Sequence, residues 1–409
     1  MPDVSILNVE LHGTPIGTIT RLPDDRTLFA FTNAYIEDQN RATLSLSFKD
    51  IYGGLDTETR PTRSKVPTFF SNLLPEGHLR SYLAERAGVH HEREFFLLWV
   101  LGSDLPGAVR VVPADGVSWP EDPAQGDESL GGKSTTAATA LHFSLAGVHL
   151  KFSAVKDAAG GLTIPANGVG GSWIVKLPSE RHKDVPENEF AMMELARRVG
   201  LDVPDTKLLP LEEIRGLPPE VSGLGSQAFV IKRFDRLDGG IRVHIEDFAQ
   251  VFGVYPVNKY QKANYEMIAS VLAAETGQPG VAEFIRRFTF NALIGNGDMH
   301  LKNWSVSYPD KRTAAIAPVY DFVSTLLYVP KERLALNFAD TKSFEALDHD
   351  RFEKFAANAR LSSALVREAV SSTVERFHAA WQQRKDLPIS AELDSAINAH
   401  LKNVPISRG

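Results

Sequence analysis

The sequence predicts an α+β chain: an N-terminal α+β domain followed by a two-lobed unit whose first lobe is strand-rich and whose second is mostly helical. Three observations carry this. Short alternating or β-branched runs separated by turn residues fill the first part; two strand-like runs, WIVKLP and QAFVIKRF, flank a helical segment in the middle; and beyond about residue 240 the apolar residues mostly recur at helical spacing. A stretch rich in Pro, Gly, Ser, Thr and Ala, residues 113–140, separates the first part from the rest.

Taken in order, VSILNVEL, IGTITRL, TLFAF and ATLSLSF predict a small antiparallel sheet. FFSNLLPEGHLRSYLAERAGV and EREFFLLWVLG show helical spacing and complete a domain over residues 1–112. After the linker, FSLAGVHLKFSAV reads as strand with a glycine turn, and ANGVGG leads into the strand WIVKLP. PENEFAMMELARRVGL predicts a helix, with Pro186 in its first turn, acidic residues near its start and Gly200 at its stop. QAFVIKRF, residues 227–234, closes a small lobe spanning 141–238; the helical lobe spans 239–409. In VAEFIRRFTFNALIG, Val281, Phe284, Ile285, Phe288 and Ala292 mark one helix face and Gly295 its end.

Composition narrows the function. With 43% hydrophobic and 23% charged residues the 409-residue chain is of ordinary globular type, not a disordered one. The formal net charge of −7 gives no general pull toward nucleic acid. The absence of cysteine excludes disulfides, thiolate metal sites and cysteine nucleophiles. No signal-like N-terminus and no membrane-spanning apolar run is visible, so a soluble cytoplasmic protein with no membrane association is expected.

The polar residues of GNGDMHLKNW, 295–304, follow directly on an apolar helix. Asp298 and Asn303 stand five apart, the separation of base and metal ligand in a protein-kinase catalytic loop. A carboxylate can accept the proton of an attacking hydroxyl, and an amide oxygen can help hold Mg²⁺ on phosphates. Asp321 in YDFVST follows at the distance of a second metal ligand, with Val323 where kinases carry glycine. Upstream, Lys176 lies between β-branched neighbours, with Glu189 in the next helix as its candidate partner and Glu194 as the spare. The loop SLAGVHLK, 144–151, brings Ser144 and Lys151 but neither a Walker A nor a three-glycine pattern. Taken singly, Asp298 reads as a turn residue, Lys176 as an edge lysine, Ser144 as a turn hydroxyl and Phe234 as core. Their order along the chain is that of a kinase.

These segments resemble the HipA family of bacterial toxin kinases over nearly the whole chain. FFSNLLPEG and LGSDLPGAVR resemble its N-terminal domain, FSLAGVHLK its phosphate loop, IVKLP its lysine strand, VIKRFDR its hinge, GNGDMHLKN its catalytic loop and PVYDFVST its metal segment. The resemblance implies an ATP- and Mg²⁺-dependent serine/threonine protein kinase with Asp298 as base and Asn303 and Asp321 as metal ligands. Lys176 and Lys151 would contact phosphates, Ser144, Ala146, Gly147, Val148 and His149 would form the covering loop, and Phe234 with the backbone of Lys232 and Arg233 would line the adenine pocket. His300 and Lys302 are expected as loop-stabilising or phosphate-side groups. The glycines of this loop are expected to let the backbone turn close to substrate.

Ser144 matches the family's autophosphorylated, self-inhibiting serine. The implied partners are a protein substrate, typically an aminoacyl-tRNA synthetase, and a HipB-like helix-turn-helix antitoxin that carries the complex to operator DNA. Two departures stand out: His149 in a loop that is usually more acidic or amide-like, which bears on loop geometry, and Lys232 at a hinge position often held by Glu, which bears on the adenine side. Two alternatives remain open, a pseudokinase scaffold within a repressor complex and a small-molecule phosphotransferase of the same fold.

Overall fold

A computed structural model describes residues 5–86, 88–114, 151–156, 162–163, 171–179, 181–217 and 225–408. The N-terminal part holds β1 (Ile6–Leu11), β2 (Thr14–Arg21), β3 (Arg26–Phe31), α1 (Asn33–Glu37), β4 (Thr62–Arg63), α2 (Thr68–Ser71), α3 (Gly77–Arg86), α4 (Glu94–Leu101) and β5 (Val109–Pro113). Its strands pair antiparallel in the order β4-β3-β2-β1-β5. The alternation that predicts β1 is real: Leu7, Val9 and Leu11 are buried while Ile6, Asn8 and Glu10 are not. Phe69, Phe70 and the run Phe95–Leu98 join the same core.

The run ATLSLSF departs from expectation. It forms no strand, only a 3₁₀ turn over Leu46–Phe48 capped by Ser45. The reason is tertiary: the Ser45 hydroxyl and the Leu46 N–H donate to the Glu246 carboxylate at 2.5 and 2.9 Å, so these groups serve a contact with the C-terminal part instead of a sheet ladder.

The middle of the chain forms β6 (Lys151–Lys156), β7 (Leu162–Thr163), β8 (Trp173–Lys176), α5 (Val185–Val199), β9 (Thr206–Pro210), β10 (Ile214–Arg215) and β11 (Gln227–Lys232), with sheet order β10-β7-β6-β8-β11-β9. α5 starts with Pro186 in its first turn and ends at Gly200, whose left-handed φ of 93° lets its N–H reach the carbonyls of Ala196 and Arg197.

The C-terminal part is helical as expected, with α6 (Phe248–Val251), α7 (Tyr265–Ile294), α8 (His349–Asn358), α9 (Ser363–Gln382) and α10 (Ala391–Leu401). It also carries a small sheet of β12 (His244–Asp247), β13 (Ser305–Tyr308) and β14 (Ala315–Ile316), too short to announce itself in sequence. α7 is interrupted at Gly277 (φ 67°, ψ −165°), just before Pro279. All five of the predicted face residues, Val281, Phe284, Ile285, Phe288 and Ala292, are buried. Phe288 stacks on Phe338 at 4.3 Å and Phe284 meets Trp304 at 4.6 Å, which ties the residue after Asn303 to the core. Among the described residues no helix is long and apolar enough to cross a membrane.

The N-terminal part is bound to the rest by specific polar contacts. Arg236 donates to the carbonyl oxygens of Leu105 and Gly107 at 2.7 and 2.8 Å and pairs with Asp104 at 3.0 Å. The Gly107 N–H in turn donates to Asp235 at 2.8 Å.

Candidate active site

Lys176 ends β8, where the strand delivers its side chain toward α5 and the segment after β14. Its ammonium pairs with Glu189 of α5 at 2.5 Å and with Asp321. Burial works against this charge, but Asp321 and Glu189 outweigh it and push the lysine's pKa up, so it stays an ammonium. Glu189, not Glu194, is therefore the helix partner: Glu194 accepts instead from Thr206 at 2.5 Å and pairs with Arg197 at 3.3 Å. Asp321 takes a left-handed backbone with φ 56°, uncommon for a residue with a Cβ, and the fold holds it there facing Lys176.

The loop after α7 is equally constrained. The Asp298 N–H donates to the Asn296 side chain at 3.0 Å, and Asn296 donates to Asn291 at 2.8 Å. The His300 N–H returns to the Asp298 carbonyl at 2.8 Å, and Asn303 donates its amide nitrogen to the same carbonyl at 2.8 Å. That bond fixes which end of the Asn303 amide is which, so its oxygen is the end left to act as a ligand. The Tyr260 hydroxyl donates to Asp298 Oδ1 at 2.6 Å. Burial and the nearby Asp298 push the tyrosine's pKa up, which keeps it a neutral donor. The Asp298 pKa is raised by burial and by Asp321, against the opposing effect of Tyr260 and Lys259. A half-buried carboxylate with one oxygen pinned and a raised pKa is a competent proton acceptor.

Other expected groups fall differently. His300 is buried and its pKa is driven down to about 3, mainly by burial, so it is a neutral ring set edge-on to Tyr260 at 4.9 Å and not a cation for phosphate. Lys302, expected as a loop-stabilising or phosphate-side group, takes the loop-stabilising place: it gives its ammonium to the Asn72 carbonyl and to Glu76, each at 2.9 Å, because the N-terminal part presses against this loop. Gly295 turns the chain at the end of α7 with a left-handed φ of 67°, and both glycines leave room for packing: a Cβ on Gly295 would lie 2.5 Å from Leu326, and one on Gly297 2.3 Å from the Glu332 carboxylate. The N–H groups of Lys232 and Arg233 are taken by the carbonyls of Asp205 and Ser172, each at 2.8 Å, so a base bound there would meet their carbonyls or the next residues. Arg233 forks onto Asp235 at 2.9 and 2.8 Å. Phe234 lies 6.0 Å from the Tyr320 ring. Lys151 stands opposite Lys176 across β6 and β8. Ser144, Ala146, Gly147, Val148 and His149 lie outside the described residues.

Sequence reasoning missed Tyr260, Tyr320 and Glu76. Tyr320 donates to the Lys302 carbonyl at 2.9 Å, immediately before Asp321. Tyr260 sits 38 residues from Asp298 in an unremarkable loop, and no local pattern points from one to the other.

Comparison with known proteins agrees with this geometry. Residues 143–381 match the HipA-like C-terminal domain and residues 7–112 the HipA N-terminal domain. The chain belongs to the HipA family. A Sinorhizobium fredii protein named "Putative kinase Y4dM" is 55% identical over 412 residues, covering 100% of this chain and 99% of its own. The "Serine/threonine-protein kinase toxin HipA" of Shewanella oneidensis is 26% identical over 83% of this HipA-family chain and 80% of its own. The fold matches a Shewanella oneidensis structure described as HipA, HipB and operator DNA, with a TM-score of 0.72 over 97% of this chain and 95% of that one at 22% identity.

Proposed function

We propose that this HipA-family chain is an ATP-dependent serine/threonine protein kinase, with residues 1–112 as N-terminal domain, 141–238 as small lobe and 239–409 as the lobe bearing the catalytic loop. The observation that carries the reading is the triad of Lys176, Glu189 and Asp321 facing a loop in which Asp298 and Asn303 are joined by a hydrogen bond. Asp298 accepts the proton of a substrate hydroxyl as that oxygen bonds to the γ-phosphorus. The bond from γ-phosphorus to the bridging oxygen breaks, and ADP leaves with that oxygen. Lys176 holds the α/β-phosphates, and Tyr260 holds Asp298 in the accepting rotamer.

The residues also fit Mg²⁺. Asp321 and the Asn303 oxygen are hard oxygen donors, while among the described residues no group of three or more His, Asp or Glu would hold a metal unaided. Two protein ligands completed by phosphates and water are what Mg²⁺ takes in such sites. When bound, it supplies positive charge that offsets the phosphates.

The finer reading is that of a toxin: phosphorylation of a translation protein, an aminoacyl-tRNA synthetase, arrests growth, and a HipB-like helix-turn-helix antitoxin neutralises the kinase on operator DNA. The name of the Shewanella oneidensis relative and the HipA–HipB–DNA complex support it. Phosphate on Ser144 adds roughly −1.5 to −2 charges beside a site for ATP and switches the enzyme off.

Incubation of a cell lysate with γ-labelled ATP and the wild-type protein is expected to label one major substrate, with none labelled by Asp298→Asn. Mass spectrometry of the kinase itself is expected to place phosphate on Ser144 only in wild type. Equal labelling by Asp298→Asn would refute the kinase assignment, and full activity of the Ser144-phosphorylated form would refute the switch.

A further inference from the structure

The motif FFSNLLPEG, residues 69–77, belongs to the N-terminal domain, yet it ends against the catalytic loop of the other lobe. Its position is set by several bonds. Asn72 donates its amide to the Val254 carbonyl at 2.8 Å, Gln250 donates to the Phe69 carbonyl at 3.1 Å, and Phe69 and Phe70 are buried below. This brings Glu76 between two lysines, with Oε1 2.9 Å from Lys302 and Oε2 2.9 Å from Lys259.

Each lysine leads to a different part of the catalytic loop. Lys302 precedes Asn303, the proposed metal ligand, and its ammonium also donates to the Asn72 carbonyl. Lys259 precedes Tyr260, which hydrogen-bonds Asp298 Oδ1, and the Lys259 carbonyl accepts from the Leu301 N–H at 3.2 Å. One carboxylate therefore grips the loop from both ends. Burial opposes its charge, but Lys302 and Lys259 bring its pKa down to about 2, so the grip is ionised at any working pH.

We propose that Glu76 is a positioning residue for phosphoryl transfer, through which the N-terminal domain holds Asp298 and Asn303 in register; this rests on the kinase reading above. Without the carboxylate, two ammonium groups that share one partner repel each other and release both segments. Misplacement of reacting groups by about 1 Å costs up to roughly 10²-fold in rate. The nucleotide-side groups Lys176, Glu189 and Phe234 are not part of this linkage, so nucleotide binding without Mg²⁺ does not depend on it; the linkage reaches Mg²⁺-dependent binding through Asn303 alone.

The test uses the full chain, with ADP release from Mg·ATP as the rate and a fluorescent methylanthraniloyl-ATP as the binding probe. Glu76→Gln keeps the shape and loses the charge; it is expected to lower kcat by roughly 10- to 100-fold with probe affinity, measured without Mg²⁺, within about twofold of wild type. Glu76→Asp is expected to recover part of the loss. Adding Glu76→Gln to Lys302→Met is expected to cost less than it does in wild type, because the two groups act as one unit. Wild-type kcat in Glu76→Gln, or a fall in kcat matched by an equal loss of probe binding, overturns the proposal. A wild-type protein that neither binds the probe nor releases ADP overturns the kinase reading itself, and the proposal with it.

Discussion

Two ion-pair networks flank the proposed catalytic loop, one centred on an ammonium and the other on a carboxylate. On the proposed nucleotide side one ammonium, Lys176, faces two carboxylates, Glu189 and Asp321. On the N-terminal side one carboxylate, Glu76, faces two ammonium groups, Lys302 and Lys259. The first network gathers carboxylate oxygens around one ammonium, a donor set that suits the proposed site for a divalent cation along with phosphates. The second is left with surplus positive charge, part of which is answered by the Asn72 carbonyl and, at 3.9 Å, by Asp247. Each of the two is closed by an element distant in sequence; the first presents acidic oxygens, and the second ties the N-terminal part to the loop.

If both networks serve the same base, removing that base should give the largest effect of all. Asp298→Asn is nearly isosteric and loses only the proton acceptor. It is expected to lower turnover by roughly 10²–10⁴-fold while calorimetry finds nucleotide affinity essentially intact. Wild-type turnover in this variant would leave the two networks without a common purpose.

The nucleotide side is tested next by Asp321→Ala. Loss of the Asp321 carboxylate is expected to weaken Mg²⁺-dependent ATP binding by at least roughly tenfold, and Asn303→Ala by less, since only a neutral oxygen goes. Calorimetry with and without Mg²⁺ separates the two, and an unchanged metal dependence in Asp321→Ala would remove it from the site. The corresponding change on the other side, Glu76→Gln, should alter that metal dependence no more than Asn303→Ala does, since it reaches the metal only through Asn303.

The smallest effects are on stability, and they set Glu76 against Glu246, a second carboxylate at the same domain seam. Glu246 receives hydrogen bonds from Ser45, Leu46 and Tyr308 but pairs with no cation among the described residues, and burial raises its pKa from 4.5 to about 7. Its folded pKa lies above the unfolded one, so its contribution is full below pH 4.5 and declines as pH rises to about 7. The slope has a ceiling of about 1.4 kcal/mol per pH unit. Glu76 has the reverse sign: its contribution is present above pH 4.5 and is lost as pH falls through about 2. Denaturation midpoints across pH are expected to lose the near-neutral slope in Glu246→Gln and the acid slope in Glu76→Gln. The same slope in Glu246→Gln as in wild type would show that its three donors already stabilise the ionised form.

Periodicity and order along the chain were enough for much of this protein. The face of α7, the proline and glycine that bound α5, and the strands carrying Lys176 and Phe234's neighbours are local properties, written in spacing and turn residues. The succession from Lys176 through Glu189 to Asp298, Asn303 and Asp321 was legible as an order along the chain, and the structure brings Lys176, Glu189 and Asp321 into one group and Asp298 and Asn303 into another, joined through Asn296.

What only tertiary structure decided lies where distant segments meet. ATLSLSF has the alternation of a strand but surrenders it because Glu246, two hundred residues on, takes its donors. Lys302 looks like a phosphate contact until Glu76 is seen 2.9 Å away, and Tyr260 has no local signature at all. Gly295 and Gly297 leave room for Leu326 and Glu332, neighbours that no window of sequence around them contains. The physical reason is the same each time: a side chain's propensity is set by its own backbone, but its partner is set by whichever charge or donor the fold brings within hydrogen-bond reach.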